Sequence, residues 1–406
     1  MGTAAPVTTD EKRCTTVPFV RGVAVSSIVT YLGIATSLLS APLLARSLGA
    51  TGRGELAAIF APLQLLSWTC FLGIPRFGAV VRTRGRGYPR RSFVVLTALG
   101  VVAAVGLWAA APLLAGGAST VESGIRALCW LLVFGGVAQL GVESLQARGR
   151  VVAWNAVRGI PLLLPSLLQI LLWGFGALTL PAAIATMALG QLVWTVTGVL
   201  VWARGAMRRR AGRIDWRFSL GYWTTTALDG VGGRIDQVVL AAFATAADLG
   251  RYVVAVTIAN AAGAVTQALG HTTFADRIRG ADTRFDARVA RMGVVTSVVT
   301  GAVVVAVTAV SGTTVLGASF DGLTVIVAIL VVHQLLHDQW QFAVYRGSAD
   351  LDASRLMVPS LVGVVVLCGC LAVLGVAGAV SGAAVALAMV AFAATRYGVW
   401  LLIVSE

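Results

Sequence analysis

Charge is what this sequence has least of. Only 12% of its 406 residues are charged, whereas 58% are hydrophobic. A soluble domain carries about 25% charged residues. No soluble fold buries so much apolar surface, so lipid must cover part of it. Acidic residues are scarcer still, 17 against 31 basic ones, which leaves a formal charge of +14. A basic balance raises the question of nucleic acid, but here the arginines sit in short clusters between apolar runs, so nucleic acid is not an expected partner. Cysteine is scarce as well. Cys70, Cys129, Cys368 and Cys370 lie in apolar runs and Cys14 lies near the start, which gives neither a disulfide framework nor a metal-binding spacing. Long loops are lacking, so there is no room for a soluble catalytic or nucleotide-binding domain. Walker A, HExxH and nucleophile-elbow patterns are missing too. No enzyme, cofactor or metal is expected.

The apolar runs are abundant. A bilayer core takes about 20 residues of helix. Runs of that length occur near 20–45, 56–81, 92–115, 124–147, 151–174, 180–203, 218–243, 253–275, 292–311, 322–345, 354–374 and 376–401. The sequence thus predicts an all-α integral membrane protein of about twelve transmembrane helices. The first run is too long for a signal-peptide core and reads as an uncleaved span. The arginines set the orientation. With a cytoplasmic start, the inside segments hold Lys12, Arg13 and Arg21; Arg82, Arg84, Arg86, Arg90 and Arg91; Arg148 and Arg150; Arg204, Arg208–Arg210, Arg213 and Arg217; Arg277, Arg279, Arg284, Arg288 and Arg291; and Arg346 and Arg355. The outside loops hold only Arg46, Arg53 and Arg251. This asymmetry places both termini in the cytoplasm.

The chain repeats itself at a shift of about 198 residues. Gly52-Arg53 falls on Gly250-Arg251, Arg148-Gly149 on Arg346-Gly347, and Pro161 on Pro359. At a shift of 197, Leu72-Gly73 and Phe77 fall on Leu269-Gly270 and Phe274, and Arg158 falls on Arg355. The division this predicts is a tail at 1–19, an N-lobe at 20–203, a basic linker at 204–217 and a C-lobe at 218–406. Six spans preserve orientation, so the lobes repeat about an axis along the membrane normal. Transporters built from repeats hold their substrate path between them.

Short segments also resemble a known family. Leu44-Ala45-Arg46-Ser47-Leu48-Gly49 with Gly52-Arg53-Gly54-Glu55 is similar to the stretch after the first helix of bacterial Wzx-type flippases for O-antigen and other lipid-linked oligosaccharides. These belong to the multidrug/oligosaccharidyl-lipid/polysaccharide exporter superfamily. Gly233-Arg234-Ile235-Asp236-Gln237 with Leu249-Gly250-Arg251-Tyr252 resembles that family's seventh helix and the turn after it. Leu145-Gln146-Ala147-Arg148-Gly149-Arg150 resembles its helix-four exit, and Val376–Ala384 the start of its last helix. The resemblance implies two six-helix lobes around a MATE-like, V-shaped cavity. It also implies export of a polyprenyl-pyrophosphate-linked oligosaccharide in the bacterial cytoplasmic membrane, with membrane lipids as further partners and H⁺ or Na⁺ as the coupling ion. A cation-coupled multidrug or small-molecule antiporter of the same superfamily is the alternative. A polytopic glycosyltransferase or ligase is a third reading, which the short outer loops disfavour.

Charges inside spans point to function or to a partner. Span seven carries Asp229, Arg234 and Asp236. On a continuous helix the aspartates, seven apart, share a face, and Arg234 lies roughly 140° round from Asp229. Guanidinium suits phosphate, so Arg234 is a candidate substrate ligand, with Asp229 or Asp236 carrying the coupling ion. Arg76 and Arg158 are further substrate candidates; the plainer readings are that Arg76 snorkels to the interface and that Arg158 pairs with Glu143. Asn260 and Gln267 share a face of span eight and fit a cavity wall. His333 and His337 are four apart, and a metal would need a third ligand beside them, for which His271 is the only other histidine. A proton relay through His337 and Asp338 competes with a merely polar mouth. Arg396 is read as snorkelling, Trp202, Trp216 and Trp400 as interfacial anchors, and Gly378 with Gly382 as a small-xxx-small packing pair.

Overall fold

The structure, a computed structural model, describes residues 9–83, 88, 90–206, 214–278, 283–349 and 354–405. Those residues are helical nearly throughout, and among them there is no strand. Backbone N–H and C=O groups find no water in a bilayer, and helices satisfy them internally.

Every expected span coincides with a helix or with a broken helix. The first two merge into α1 (Thr9–Thr69), which runs through the expected outer loop and kinks at Gly49, where φ is +66°. The second span continues after a break as α2 (Ile74–Thr83). Then come α3 (Arg90–Leu114), α4 (Ser119–Leu128) with α5 (Leu132–Ala147), α6 (Val151–Gly174) and α7 (Leu180–Ala206). Span seven is split into α8 (Trp216–Gly232) and α9 (Ile235–Phe243). The rest follow as α10 (Ala246–Ile278), α11 (Thr283–Leu316), α12 (Leu323–Ala349), α13 (Ser354–Val376) and α14 (Gly382–Ser405). Among the described residues, eight helices are long and apolar enough to cross a membrane, or nine when Ala35–Thr69 and Ile74–Val81, bent by 47°, count as one span. Spans one, seven and eight are not among these; span seven is divided between α8, 17 residues, and α9, 9 residues, each too short to cross alone.

Two seams join the halves. At the first, α1 meets α10. A Cβ on Gly54 would overlap the Ala246 carbonyl, and one on Gly250 would overlap the Ala50 carbonyl. The glycines of the repeated Gly-Arg motif are thus the places where two backbones touch. The three arginines that break the charge rule lie at this seam or beside it. Arg46 donates through Nε and NH2 to the Val315 and Thr314 carbonyls at 2.6 and 2.8 Å, where the free carbonyls of a helix end attract a cation. Arg251 donates to the Ser319 carbonyl at 3.1 Å and pairs with Asp248 at 3.2 Å. Arg53 is buried in the seam.

At the second seam, the α1–α2 break meets α8. Leu72 and Gly73 both have positive φ, +48° and +68°. A Cβ on Gly73 would overlap the Ser219 carbonyl. The break frees the Thr69 carbonyl, and the Trp223 indole donates to it at 2.6 Å. The Phe77 and Phe218 rings lie 6.0 Å apart. The repeat fails here: the counterpart of Leu72-Gly73, Leu269-Gly270, continues as helix within α10.

Several expectations are corrected. Gly378 and Gly382 do not form a packing pair on one helix. Gly378 is a turn residue with φ +62° and open space at its Cβ, and α14 starts only at Gly382, whose Cβ position meets Ile326. Trp400 is buried and packs edge-on against Trp340 at 6.2 Å, and Trp202 stacks on Phe93 at 5.0 Å. Trp216 is exposed, as an anchor requires.

Candidate functional site

The break in span seven creates the site. Gly232 and Gly233 end α8, and Arg234 leaves helical geometry at φ −145° before α9 begins. Glycine pairs interrupt helices because they cost conformational entropy and tolerate the break. The break overturns the expected single face: Asp229 and Asp236 belong to different helices. Both nevertheless line one cavity of about 540 Å³, together with Arg234.

Its walls come from four further helices. Trp68 enters from α1, Tyr252, Val256 and Asn260 from α10, His333, Gln334, His337 and Gln341 from α12, and Met389, Phe392 and Arg396 from α14. Asn260 is exposed to the cavity, as expected. Gln267 lies one further stretch along α10, and its side chain is outside the described residues.

The charged groups play unlike parts. Asp236 is 3% exposed. It accepts from the Tyr252 hydroxyl at 2.6 Å and from the Gln237 backbone N–H at 2.8 Å. That second bond puts a carboxylate at the N-terminus of α9, where the helix dipole favours it. Asp229 instead is an open group with a 59% exposed side chain, paired with Arg396. Arg234 caps the same helix end and makes no side-chain bond to the backbone there. The end of α9 therefore already holds a carboxylate, Asp236, and the Arg234 guanidinium lines the cavity beside it.

Arg396 is the main correction. It does not snorkel. Its side chain is 5% exposed, its guanidinium lies 4.2 Å from the Trp340 ring centroid and 5.5 Å from that of Phe392, and it donates to Asp229. The cause is a shifted boundary. α14 runs to Ser405, nine residues beyond Arg396 and about 14 Å at 1.5 Å per residue.

His337 lines the cavity beside His333, their rings 5.8 Å apart, and its Nε2 lies 3.2 Å from Gln341 Nε2. Among the described residues no three His, Cys, Asp or Glu side chains come together as metal ligands. Asp338 does not join His337 in a relay. At 2% exposure it faces the packing between α10, α11 and α12. There it accepts from Ser297 Oγ at 2.8 Å and Gln334 Nε2 at 2.7 Å, and Ser297 in turn bonds Thr266 at 2.7 Å. Nothing in the sequence pairs these residues, which come from three spans.

The remaining substrate candidates lie elsewhere. Arg76 does not simply snorkel: it donates to Gln146 at 3.0 Å, pairs with Glu143 at 3.5 Å and sits 5.7 Å from the Tyr222 ring centroid, at the second seam. Glu143 is thereby taken, and Arg158 pairs with no carboxylate there; it is exposed and lies 5.2 Å from the Trp154 ring centroid. Neither arginine lines the cavity.

No protein-family model matches the sequence, and no curated protein matches it. Solved structures do match its fold. The lipid II flippase MurJ in an inward closed conformation has a TM-score of 0.71 at 11% identity, over 94% of this chain and 87% of that one. An inward-facing multidrug resistance MATE transporter of the MOP superfamily gives 0.62 at 14% identity, over 93% and 98%. A MATE protein in complex with MaL6 gives 0.54 at 14% identity, over 94% of each. At these identities the likeness concerns the fold, and it shows an all-helical membrane architecture shared with MurJ and the MATE transporters.

Proposed function

We propose that this protein is an alternating-access transporter that flips a polyprenyl-pyrophosphate-linked oligosaccharide from the inner to the outer leaflet of the bacterial cytoplasmic membrane. The observation that carries the reading is Arg234 at the start of α9, lining a cavity that Asn260, His337, Gln341 and Arg396 also line. A guanidinium fork is a phosphate ligand, and one that lines a cavity of a membrane protein suits a phosphate tethered to lipid. The amides of Asn260 and Gln341 supply donors and acceptors for sugar hydroxyls on the same walls. The lobes at 20–203 and 218–406, joined by the basic linker at 204–217, move against each other to open and close the cavity, whose walls come from the second lobe apart from Trp68. Both termini, including the tail at 1–19, face the cytoplasm. H⁺ or Na⁺ on Asp229 or Asp236 couples the motion.

The second reading is a cation-coupled multidrug antiporter, and the two carboxylates in the cavity favour it. The two readings separate in proteoliposomes. The flippase moves a labelled lipid-linked glycan across the bilayer, Arg234→Ala abolishes that movement, and the same variant leaves a cationic drug unaffected. Movement of the drug but not the glycan would refute the flippase.

A further inference from the structure

The pair formed by Arg396 and Asp229 is lopsided. The guanidinium is fixed in the wall, 5% exposed and backed by Trp340 at 4.2 Å. It donates through NH2 to Asp229, and its buried Nε has no partner among the described residues. Behind it α13 comes close enough that a Cβ on Gly363 would sit 3.2 Å from Arg396 Cβ. The carboxylate is the opposite: 59% exposed, on the last turn of α8 before the break, and free to swing into the cavity. A desolvated cation needs a counter-anion at all times. Asp236 is not available for that part, because Tyr252 and the Gln237 N–H already hold it.

We propose that Arg396 is a phosphate-binding residue and that Asp229 occupies its place until the phosphate arrives. This rests on the reading of the cavity as a pyrophosphate site. A carboxylate and a phosphate present the same acceptor chemistry to a guanidinium fork, but the phosphate offers more charge and more oxygens. On binding, one phosphate group replaces the Asp229 carboxylate on Arg396 while the other meets Arg234, which lines the same cavity. Asp229 then turns to the cavity water. The wall is never left with an unpaired buried charge, and weak anions are kept out because they must displace a resident carboxylate. Inorganic phosphates and lipid-linked ones share this chemistry.

The test uses the full chain in nanodiscs, with inorganic pyrophosphate and a prenyl pyrophosphate as separate probes. Asp229→Asn removes the competitor, and its affinity for pyrophosphate should rise about ten-fold or more, the usual scale for a close charge pair. Its thermal midpoint should fall without pyrophosphate and recover with it. Asp229→Glu keeps a carboxylate on Arg396 and should bind as weakly as the native chain. The double variant Asp229→Asn/Arg396→Gln removes both members of this pair and should lose the gain. Where Asp229→Asn alone does not fold, Arg396→Gln in the native background gives the same answer through a lowered affinity. An unchanged affinity in Asp229→Asn, or a gain that survives in the double variant, overturns the proposal. A gain for inorganic pyrophosphate but not for the prenyl form keeps the phosphate site and refutes the lipid-linked substrate. Glycan movement in proteoliposomes judges the flippase reading separately.

Discussion

Tyr252→Phe isolates what holds the break of span seven in place. Tyr252 is fully buried, and its hydroxyl is one of two donors to Asp236, at 2.6 Å. Removing it leaves Oδ2 of a 3% exposed carboxylate without that bond. A hydrogen bond to a charged group contributes about 1.5–3 kcal/mol. Helix–helix hydrogen bonds inside membranes average only about 0.6 kcal/mol, because the unfolded chain in lipid finds partners too. The larger figure applies here, since a carboxylate buried in protein has few alternatives. The expected loss is therefore about 1.5 kcal/mol or more, a factor of roughly ten in the folding equilibrium. Asp236→Asn removes the charge that made the bond strong, so Tyr252→Phe on that background should cost about 0.5 kcal/mol. Titration with a denaturing detergent in mixed micelles, followed by circular dichroism, yields all four corners of the cycle. A coupling of at least about 1 kcal/mol is expected, and losses that add within about 0.5 kcal/mol would show that the two groups act independently.

Two further outcomes follow from the second seam and from the groups outside the cavity. Gly73→Ala puts a Cβ into the Ser219 carbonyl at a residue with φ +68°, so cysteines introduced at Phe77 and Phe218 should cross-link at well under half the yield seen with glycine in place; equal yields would show that the seam does not depend on that approach. Arg158→Ala should leave transport within about two-fold of the native rate, since the residue is exposed and lines no part of the cavity; a larger loss in the proteoliposome assay would place a substrate contact outside it.

Much of the architecture was legible because lipid enforces it. An apolar run of 20 residues has few options in a bilayer, and all the expected spans coincide with helical segments. The breaks were written less plainly. Gly230-Val231-Gly232-Gly233 precedes the candidate arginine, and read as punctuation it would have separated Asp229 from Asp236. Arg396 was misread because a few residues of error at the end of a span decide whether a side chain reaches the interface or lies two turns below it. The setting of Asp338 was beyond reach, since Ser297, Thr266 and Gln334 meet only once three helices have packed. The Gly-Arg motif was found as a repeat, and its physical reason, two backbones in contact, is tertiary.

That contact also shapes how the molecule can move. Gly54 and Gly250 meet carbonyls, so at those two points of the α1–α10 seam no side-chain rotamer can turn to absorb a shift. The α2–α8 seam has one such contact, Gly73 on the Ser219 carbonyl, and beside it the Phe77 and Phe218 rings, an indole and a cation over Tyr222, which can slide or turn. About 20 residues of helix, or roughly 30 Å, separate the two. The first is shaped as a fulcrum and the second as a clasp: a tilt of about 10° at the glycines parts the aromatic end by about 5 Å over that lever arm. On the proposed alternating-access reading, opening in the other direction requires the fulcrum itself to come apart, which makes the two openings mechanically unequal.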